Sequence, residues 1–129
     1  MENIKATVTE TVTEQNTAAN VGSGSLPVYA TPAMLALIEK ASCEAVKSLL
    51  NDGETTVGTL LNVKHLAATP VGMQVSATAT LIERDGRKFV FSVTASDESG
   101  VIGEGVHERF LVFSEKFTEK TYAKLHKNN

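Results

Sequence analysis

The chain has 129 residues, of which 42% are hydrophobic, 5% are aromatic and 21% are charged. This length has room for one core, so a single domain is predicted over residues 1–129. The 12 basic and 15 acidic residues give a formal net charge of −3. That balance argues against a nucleic-acid-binding protein, because such proteins neutralise phosphates with Lys and Arg.

Cysteine content and the N-terminal residues narrow the class of protein further. The single cysteine, Cys43, excludes an internal disulfide framework and a Cys-rich zinc site, and it is predicted to be a small buried residue. No apolar run approaches the ~18–20 residues that cross a bilayer. Residues 1–14 alternate and contain acids where a signal peptide needs a basic end and an apolar block. The chain is therefore predicted to be cytoplasmic, with no metal site and no membrane partner.

The first third of the chain predicts a strand, a loop and a long helix. Residues Ile4–Val12 alternate between apolar and polar types, as a half-buried strand does. Residues 15–27, rich in Asn, Thr, Gly and Ser, predict a flexible loop. Thr31 before Pro32 predicts a helix start with the threonine as N-cap. Apolar residues then recur at helical spacing as far as the stop signal at residues 51–53.

The rest of the chain has the period-two pattern of β-strands. Val57, Thr59, Leu61, Val63 and His65 are predicted to share one face of the first of these strands. Three more strands follow, separated by turn sequences, over Met73–Leu81, Phe89–Ala95 and Val101–Phe113. The polar tail, about residues 118–129, predicts a frayed or weakly helical end.

This order of elements predicts an α+β fold. One long helix can cover one face of an antiparallel sheet, which is the hotdog arrangement of a sheet wrapped around a central helix. Gly103 and Gly105 lie on one face of the last strand, where missing side chains would let helix and sheet approach closely. Because such a sheet leaves an edge strand open, a homodimer is expected.

Three stretches resemble one enzyme family. They are residues 28–32 with Glu39, residues 57–59 leading to residues 65–72, and residues 103–109. Together they resemble the fluoroacetyl-CoA thioesterase branch of the hotdog thioesterases, over roughly Val28–Phe117. The resemblance implies hydrolysis of short-chain acyl-CoA thioesters by Thr31, Glu39 and His65. Coenzyme A would enter as part of the substrate, and no separate cofactor is implied.

The same resemblance assigns two supporting residues and shows one departure. Gly58 falls where the family places a glycine against the acyl group, and Arg109 where a charged residue lines or supports the site. The family's fluoroacetyl-specific enzyme has a longer lid with aromatic residues ahead of the threonine. This chain has residues 20–25 there, which are polar and glycine-rich, and Tyr29 as the only aromatic.

Helix geometry restricts how the three implied catalytic residues can meet. Eight residues from Thr31 to Glu39 correspond to about 12 Å of helix rise, with side chains roughly 80° apart. The two side chains cannot both reach one carbonyl carbon from an unbroken helix. Either Thr31 lies in a loop that folds back over the helix, or the site is assembled from two subunits. The second arrangement is favoured.

Structural roles and other functions remain alternatives. Taken singly, an N-cap, a solvated helix glutamate and a core histidine are ordinary roles for Thr31, Glu39 and His65. His107 and Arg109 could form cross-strand ion pairs with neighbouring glutamates. The chain could be a non-catalytic module that binds acyl-CoA. A hydratase is disfavoured, because Leu60 occupies the position five before the histidine where that chemistry usually has an aspartate.

Overall fold

The computed structural model describes residues 3–126. Its main feature is a five-stranded antiparallel sheet. The strands span Lys5–Thr11 (β1), Glu54–His65 (β2), Gln74–Asp85 (β3), Lys88–Asp97 (β4) and Gly100–Phe113 (β5). They lie in the order β1-β3-β4-β5-β2, so β2 pairs with β5, the last strand in the chain, and β1 and β2 are the two edges.

A single long helix, α2 (Thr31–Val46), lies across one face of this sheet, after a one-turn helix α1 (Ala18–Val21). It packs mainly against β1 and β3. Its buried residues recur at helical spacing, and they meet inward-facing strand residues in one core. The predicted α+β fold with a sheet around a central helix is confirmed. The buried helix residues are Met34, Leu37, Ile38, Ala41, Ser42, Ala45 and Val46.

The ends of α2 differ from the prediction. Thr31 is the first helical residue and not the N-cap, which is Ala30 in an extended conformation without a side-chain cap. The predicted cap is wrong because the Thr31 hydroxyl bonds to His65 and not to the helix backbone. At the other end the α-helix stops at Val46 and continues as a 3-10 turn, Lys47–Leu49.

The segment before α2 is more regular than the flexible loop predicted for residues 15–27. It contains a 3-10 turn, Glu14–Asn16, and the one-turn helix α1. The Thr17 hydroxyl accepts a hydrogen bond from the backbone N–H of Asn20 at 3.3 Å, and Gly22 ends the turn in the left-handed conformation. Capping side chains, which favour short helices as well as turns, explain the difference.

A bulge in β2 changes which residues face the helix. The register with β5 shifts between Gly58, paired with Arg109, and Leu60, paired with Glu108. The shared face predicted for this strand is confirmed for Leu61, Val63 and His65. It is wrong for the other two residues, because Thr59 is the extra residue of the bulge and Val57 lies on the opposite side. The residues that share the helix-facing side are Thr56, Gly58, Leu61, Val63 and His65.

The two glycines on β5 have different neighbours. A Cβ atom at Gly103 would lie 2.7 Å from Sδ of Met34, so the predicted close approach of the helix is confirmed there. A Cβ atom at Gly105 would clash with the carbonyl oxygen of Asn62. The neighbour of Gly105 is therefore the main chain of β2, and the prediction that it accommodates the helix is wrong.

The described chain ends in helical turns, and its cysteine lies at the surface. Helix α3 (Ser114–Tyr122) and a 3-10 turn, Ala123–His126, follow β5, and all their residues are at least partly exposed. The helical character predicted for the tail is thus confirmed, although residues 127–129 lie outside the described part. Cys43 is exposed, which corrects the prediction that it is buried. Within residues 3–126, no helix has the length and apolar character needed to cross a bilayer.

Candidate active site

Thr31 and His65 are in direct contact. Thr31 is the first residue of α2 and His65 is the last residue of β2, and Oγ1 lies 2.6 Å from Nδ1. Both side chains line a cavity of about 320 Å³. Small residues form much of its wall, so a small group fits beside the hydroxyl. The other lining residues are Ala18, Ser23, Val28, Tyr29, Leu66, Ala67 and Ala68.

The surroundings of His65 favour its neutral form. Its Nε2 atom is buried and has no hydrogen-bond partner within residues 3–126. Burial lowers the pKa of His65 below its usual value of 6.5, and the backbone of Ala67 opposes this in part. A neutral imidazole whose Nδ1 faces a hydroxyl can accept its proton, so the pair has the geometry of a general base and its partner.

Tyr29 anchors the segment that delivers Thr31 to this cavity. Its side chain is 1% exposed, and its hydroxyl donates to Oε2 of Glu10 on β1 at 2.5 Å. Its backbone N–H donates to the carbonyl oxygen of Thr69 at 2.9 Å. Burial and the neighbouring carboxylate raise the pKa of Tyr29, so the phenol stays protonated and keeps its bond. The cavity wall beside Thr31 is therefore fixed on two sides.

Glu39 belongs to a second group of residues. Its Oε2 accepts a hydrogen bond from Nη1 of Arg109 at 3.2 Å, which is also an ion pair. A Cβ atom at Gly58 would lie 2.6 Å from this oxygen, so only a glycine leaves room for the carboxylate in this position. The side chain of Glu39 is 39% exposed and that of Arg109 is 8% exposed. The carboxylate is thus held by a buried cation and still reaches solvent.

Arg109 is fixed by three further hydrogen bonds. Its Nε and Nη2 donate to the hydroxyl and the carbonyl oxygen of Thr56 at 2.8 and 2.9 Å, and Nη1 also bonds to Nε2 of His107 at 3.2 Å. Thr56 has no motif to mark it, so it is a site residue that the sequence did not predict. The only signal is its position two residues before Gly58, which places it on the same strand face.

The two groups are well separated within one chain. Along α2, Thr31 and Glu39 are about 12 Å apart, because the helix is unbroken between them. Along β2, Gly58 and His65 are about 20 Å apart, since the bulge leaves six extended steps of 3.3 Å between them. The structure thus unites Thr31 with His65, and Glu39 with Gly58 and Arg109, but keeps the two groups apart.

The alternative role of His107 and Arg109, ion pairing with the neighbouring glutamates of the sheet, is not what the described residues show. Glu108 pairs with Lys88 on β4 at 3.6 Å, on the side of the sheet away from Arg109. His107 and Arg109 face inward and are 0% and 6% exposed. Among residues 3–126, no cluster of three or more His, Cys, Asp or Glu side chains could hold a metal ion.

Comparison with known proteins identifies the family. The sequence profile described as fluoroacetyl-CoA-specific thioesterase matches residues 12–115. The fluoroacetyl-CoA thioesterase of Streptantibioticus cattleyicolor is 41% identical over 97 residues, covering 75% of this chain and 70% of that enzyme. The chain belongs to the fluoroacetyl-CoA thioesterase family. The resemblance predicted from the three sequence stretches is confirmed, and all five implied site residues lie within the matched range.

Solved structures of thioesterases share this fold. One structure of a fluoroacetyl-CoA thioesterase superposes with a TM-score of 0.88 at 35% identity, covering 93% of both chains. A variant of that enzyme in complex with acetyl-CoA also gives a TM-score of 0.88, at 34% identity and covering 93% and 95% of the two chains. A Thermus thermophilus member of the thioesterase superfamily gives 0.87 at 29% identity, covering 98% and 93%.

Proposed function

We propose that this protein hydrolyses short-chain acyl-CoA thioesters to free acid and coenzyme A, as a cytoplasmic homodimer. The observation behind this proposal is the 2.6 Å contact between Thr31 Oγ1 and Nδ1 of a histidine whose burial favours the neutral form. Membership of a thioesterase family supplies the reaction class. The fluoroacetyl-CoA thioesterase structure with acetyl-CoA shows that a relative accommodates a short acyl-CoA.

The chemistry needs a base, a carboxylate and hydrogen-bond donors. Water adds to the thioester carbonyl carbon, the carbon–sulfur bond breaks, and the sulfur leaves as the coenzyme A thiol. Neutral His65 takes a proton through Thr31 and returns it to the leaving sulfur. Glu39, held by Arg109, acts on the same carbonyl, either through water or as the nucleophile.

The start of α2 supplies donors for the developing oxyanion. The first hydrogen bond of the helix runs from Met34 N–H to the carbonyl oxygen of Ala30 at 3.0 Å. The N–H groups of Thr31 and Ala33 precede it, and Pro32 has none to offer. These early N–H groups carry the positive end of the helix dipole and stabilise negative charge at the cavity.

The site is proposed to form between two protomers, because one chain keeps its two groups apart. Strand β2 has 12 residues and pairs on one side only, with β5, within the described chain. Leu60 and Leu61 on it are 44% and 38% exposed. A long open edge with exposed leucines favours pairing with a second copy, and the symmetric solution is β2 against β2 about a two-fold axis.

Antiparallel pairing of β2 with itself reverses the strand in the partner. With the axis at Asn62, Gly58 of one protomer lies opposite His65 of the other, because the bulge at Thr59 takes up one residue of the strand. Both residues are on the helix-facing side of their strand. Glu39 and Arg109 of one protomer then lie beside Thr31 and His65 of its partner, which brings the two groups together in one site.

Mixed dimers test this arrangement directly. We expect the Glu39→Gln and His65→Ala homodimers each to lose at least about 10²-fold in kcat. A mixed dimer of the two variants has one site with both defects and one intact site, so it should recover about half of the wild-type kcat. The measurement is thiol release from acetyl-CoA after the two chains, with different affinity tags, are co-expressed and purified in tandem.

A site within one chain predicts the opposite result. Each chain of the mixed dimer would then hold one defective site, and its activity would stay at the level of the homodimers. Mixed dimers of wild-type and doubly substituted chains are the matched control, because they have one defect in each interface site and should be inactive. About half of the wild-type activity in that control would contradict the interface site.

Chain length of the acyl group is the second test of the proposal. The cavity beside Thr31 is about 320 Å³, and its wall includes Ala67 and Ala68. We expect kcat/KM to be highest for acyl groups of about two to four carbons and to fall at least about tenfold for long chains. Thiol release measured on a series of acyl-CoAs checks this. No release from any member, with acyl-CoA still bound in calorimetry, would instead favour a non-catalytic acyl-CoA-binding module.

A further inference from the structure

His107 is a buried polar residue that the proposed reaction does not use. It is 0% exposed, and its ring stacks on Phe91 with a centroid distance of 6.1 Å. Both of its nitrogens are engaged: Nδ1 lies 2.8 Å from the carbonyl oxygen of Leu60, and Nε2 lies 3.2 Å from Nη1 of Arg109. His107 thus lies next to the cation that holds Glu39, with both nitrogens bonded, and it is placed to set the orientation of that guanidinium.

The bonding partners fix the tautomer of His107. Arginine has only donors, so Nε2 must accept from Arg109 and has no hydrogen. A carbonyl oxygen has only lone pairs, so Nδ1 must donate to Leu60 and holds the single ring hydrogen. A second proton, on Nε2, would point at the guanidinium and would replace an attraction by a repulsion.

The same nitrogen of Arg109 serves both His107 and Glu39. Nη1 has two hydrogens, and the structure directs one to Oε2 of Glu39 and the other to Nε2 of His107, each at 3.2 Å. The rest of the rigid, planar guanidinium is held by two bonds to Thr56. Without an acceptor at His107, only those two bonds set the plane of the group, and a tilt about them moves Nη1 away from the carboxylate.

We propose that His107 is a positioning residue, whose neutral Nδ1–H tautomer orients Arg109 and through it holds the Glu39 carboxylate against Gly58. The inference rests on the role proposed above for Glu39. It adds a residue whose effect on catalysis passes through two hydrogen bonds and requires no contact with the substrate.

The charges around His107 support a neutral ring. Burial lowers the pKa of His107, and the Arg109 cation lowers it further. The bond to Leu60 and the carboxylates of Glu39 on α2 and Glu108 on β5 act in the opposite direction. Near neutral pH the acceptor at Nε2 is therefore available to Arg109.

The ring of the wild-type protein gives the first test. Long-range ¹H–¹⁵N spectra distinguish the two neutral tautomers and the imidazolium, and the His65→Ala and His126→Ala variants assign the three histidines. We expect His107 to be neutral at pH 7 with its hydrogen on Nδ1. A hydrogen on Nε2, or a charged ring, would contradict the inference, and this result needs no substitution at His107.

Two amide substitutions then separate positioning from packing. In His107→Gln the side-chain oxygen can take the place of Nε2 and accept from Arg109. In His107→Asn the amide can take the place of Nδ1 and donate to Leu60, but nothing accepts from Arg109. We expect kcat for acetyl-CoA to fall about 10–100-fold in His107→Asn, with KM changed less than about threefold, and to stay within about fivefold in His107→Gln.

The Glu39→Gln variant separates a failure of the role proposed for Glu39 from a failure of the inference about His107. If Glu39→Gln keeps wild-type kcat, the proposed role of Glu39 is wrong. If Glu39→Gln is inactive while His107→Asn and His107→Gln have equal kcat, only the inference about His107 is wrong. Denaturant midpoints of all three variants accompany the kinetics, because a purely structural histidine would lower stability in both amide variants and leave kcat of the folded protein unchanged.

Discussion

Replacing His65 with alanine is expected to lower kcat about 10²–10⁴-fold, the range for loss of a general base. The variant removes the nitrogen that lies 2.6 Å from Thr31 Oγ1. Because His65 is at the end of β2 and only partly buried, the fold should persist with a modest loss of stability. Thiol release and thermal unfolding measured on the same samples separate the two effects.

The matched control is His126→Ala, which changes a histidine in the final turn, outside both groups of the site. It should keep wild-type kcat. Thr31→Ala should lower kcat less than His65→Ala if the hydroxyl positions the base, and equally if it transfers the proton. Wild-type kcat in a folded His65→Ala variant would remove the histidine from the mechanism.

The rate constant kcat/KM should fall at acid pH, where His65 becomes protonated. The pKa of His65 in the folded protein is lowered from 6.5 by burial, so the neutral, active form persists below that pH. We expect kcat/KM to be constant near neutral pH and to fall only below pH 6.5. His65→Ala should remove that limb. A limb centred above pH 7 would mean that another group limits the reaction.

The free energy of unfolding should also decrease at acid pH. A histidine with a lowered folded pKa binds its proton more readily in the unfolded chain, so acid favours unfolding. The contribution of His65 to the free energy of unfolding is fully present above the unfolded-state pKa of about 6.5. It is lost as the pH falls through the lowered pKa of the folded state. His107 has a pKa lowered in the same direction and adds to the effect.

Replacing Arg109 with alanine is expected to reduce the free energy of unfolding by about 2–4 kcal/mol. The guanidinium donates four hydrogen bonds, and its removal leaves Thr56 and His107 without a donor in a buried setting. Because Glu39 is 39% exposed, water can solvate its carboxylate, and the lost ion pair itself contributes little of this. The rate constant kcat should also fall, since the Glu39 carboxylate loses the guanidinium that holds it in position.

Lys88→Ala is the control for Arg109→Ala, because it breaks an exposed ion pair that also involves β5. Lys88 and Glu108 have 48% and 24% exposed side chains, so the change should be below about 1 kcal/mol. Denaturant unfolding of the two variants gives both values. Equal losses would mean that the buried network around Arg109 adds no more stability than a surface pair.

The sequence by itself determined the elements and the identity of the implied site residues. Period-two alternation located the strands, since every second side chain must be buried on one face of the sheet. The spacing from Thr31 to Glu39 showed that these two side chains of one helix cannot both reach the same substrate carbonyl carbon. The reason is that backbone hydrogen bonds fix the rise per residue of a helix. These are local properties, and each can be read over a few neighbouring residues.

Only the tertiary structure decided how those residues are grouped. The Thr31 hydroxyl bonds to His65 and does not cap its helix, because the end of β2 brings an imidazole within reach. The bulge at Thr59 sets which β2 residues face inward, and with that it places Gly58 against Glu39. Strand register and pairing join residues far apart in the chain, so local periodicity has no information about them. For that reason the network of Arg109 and His107 emerges only from the folded chain.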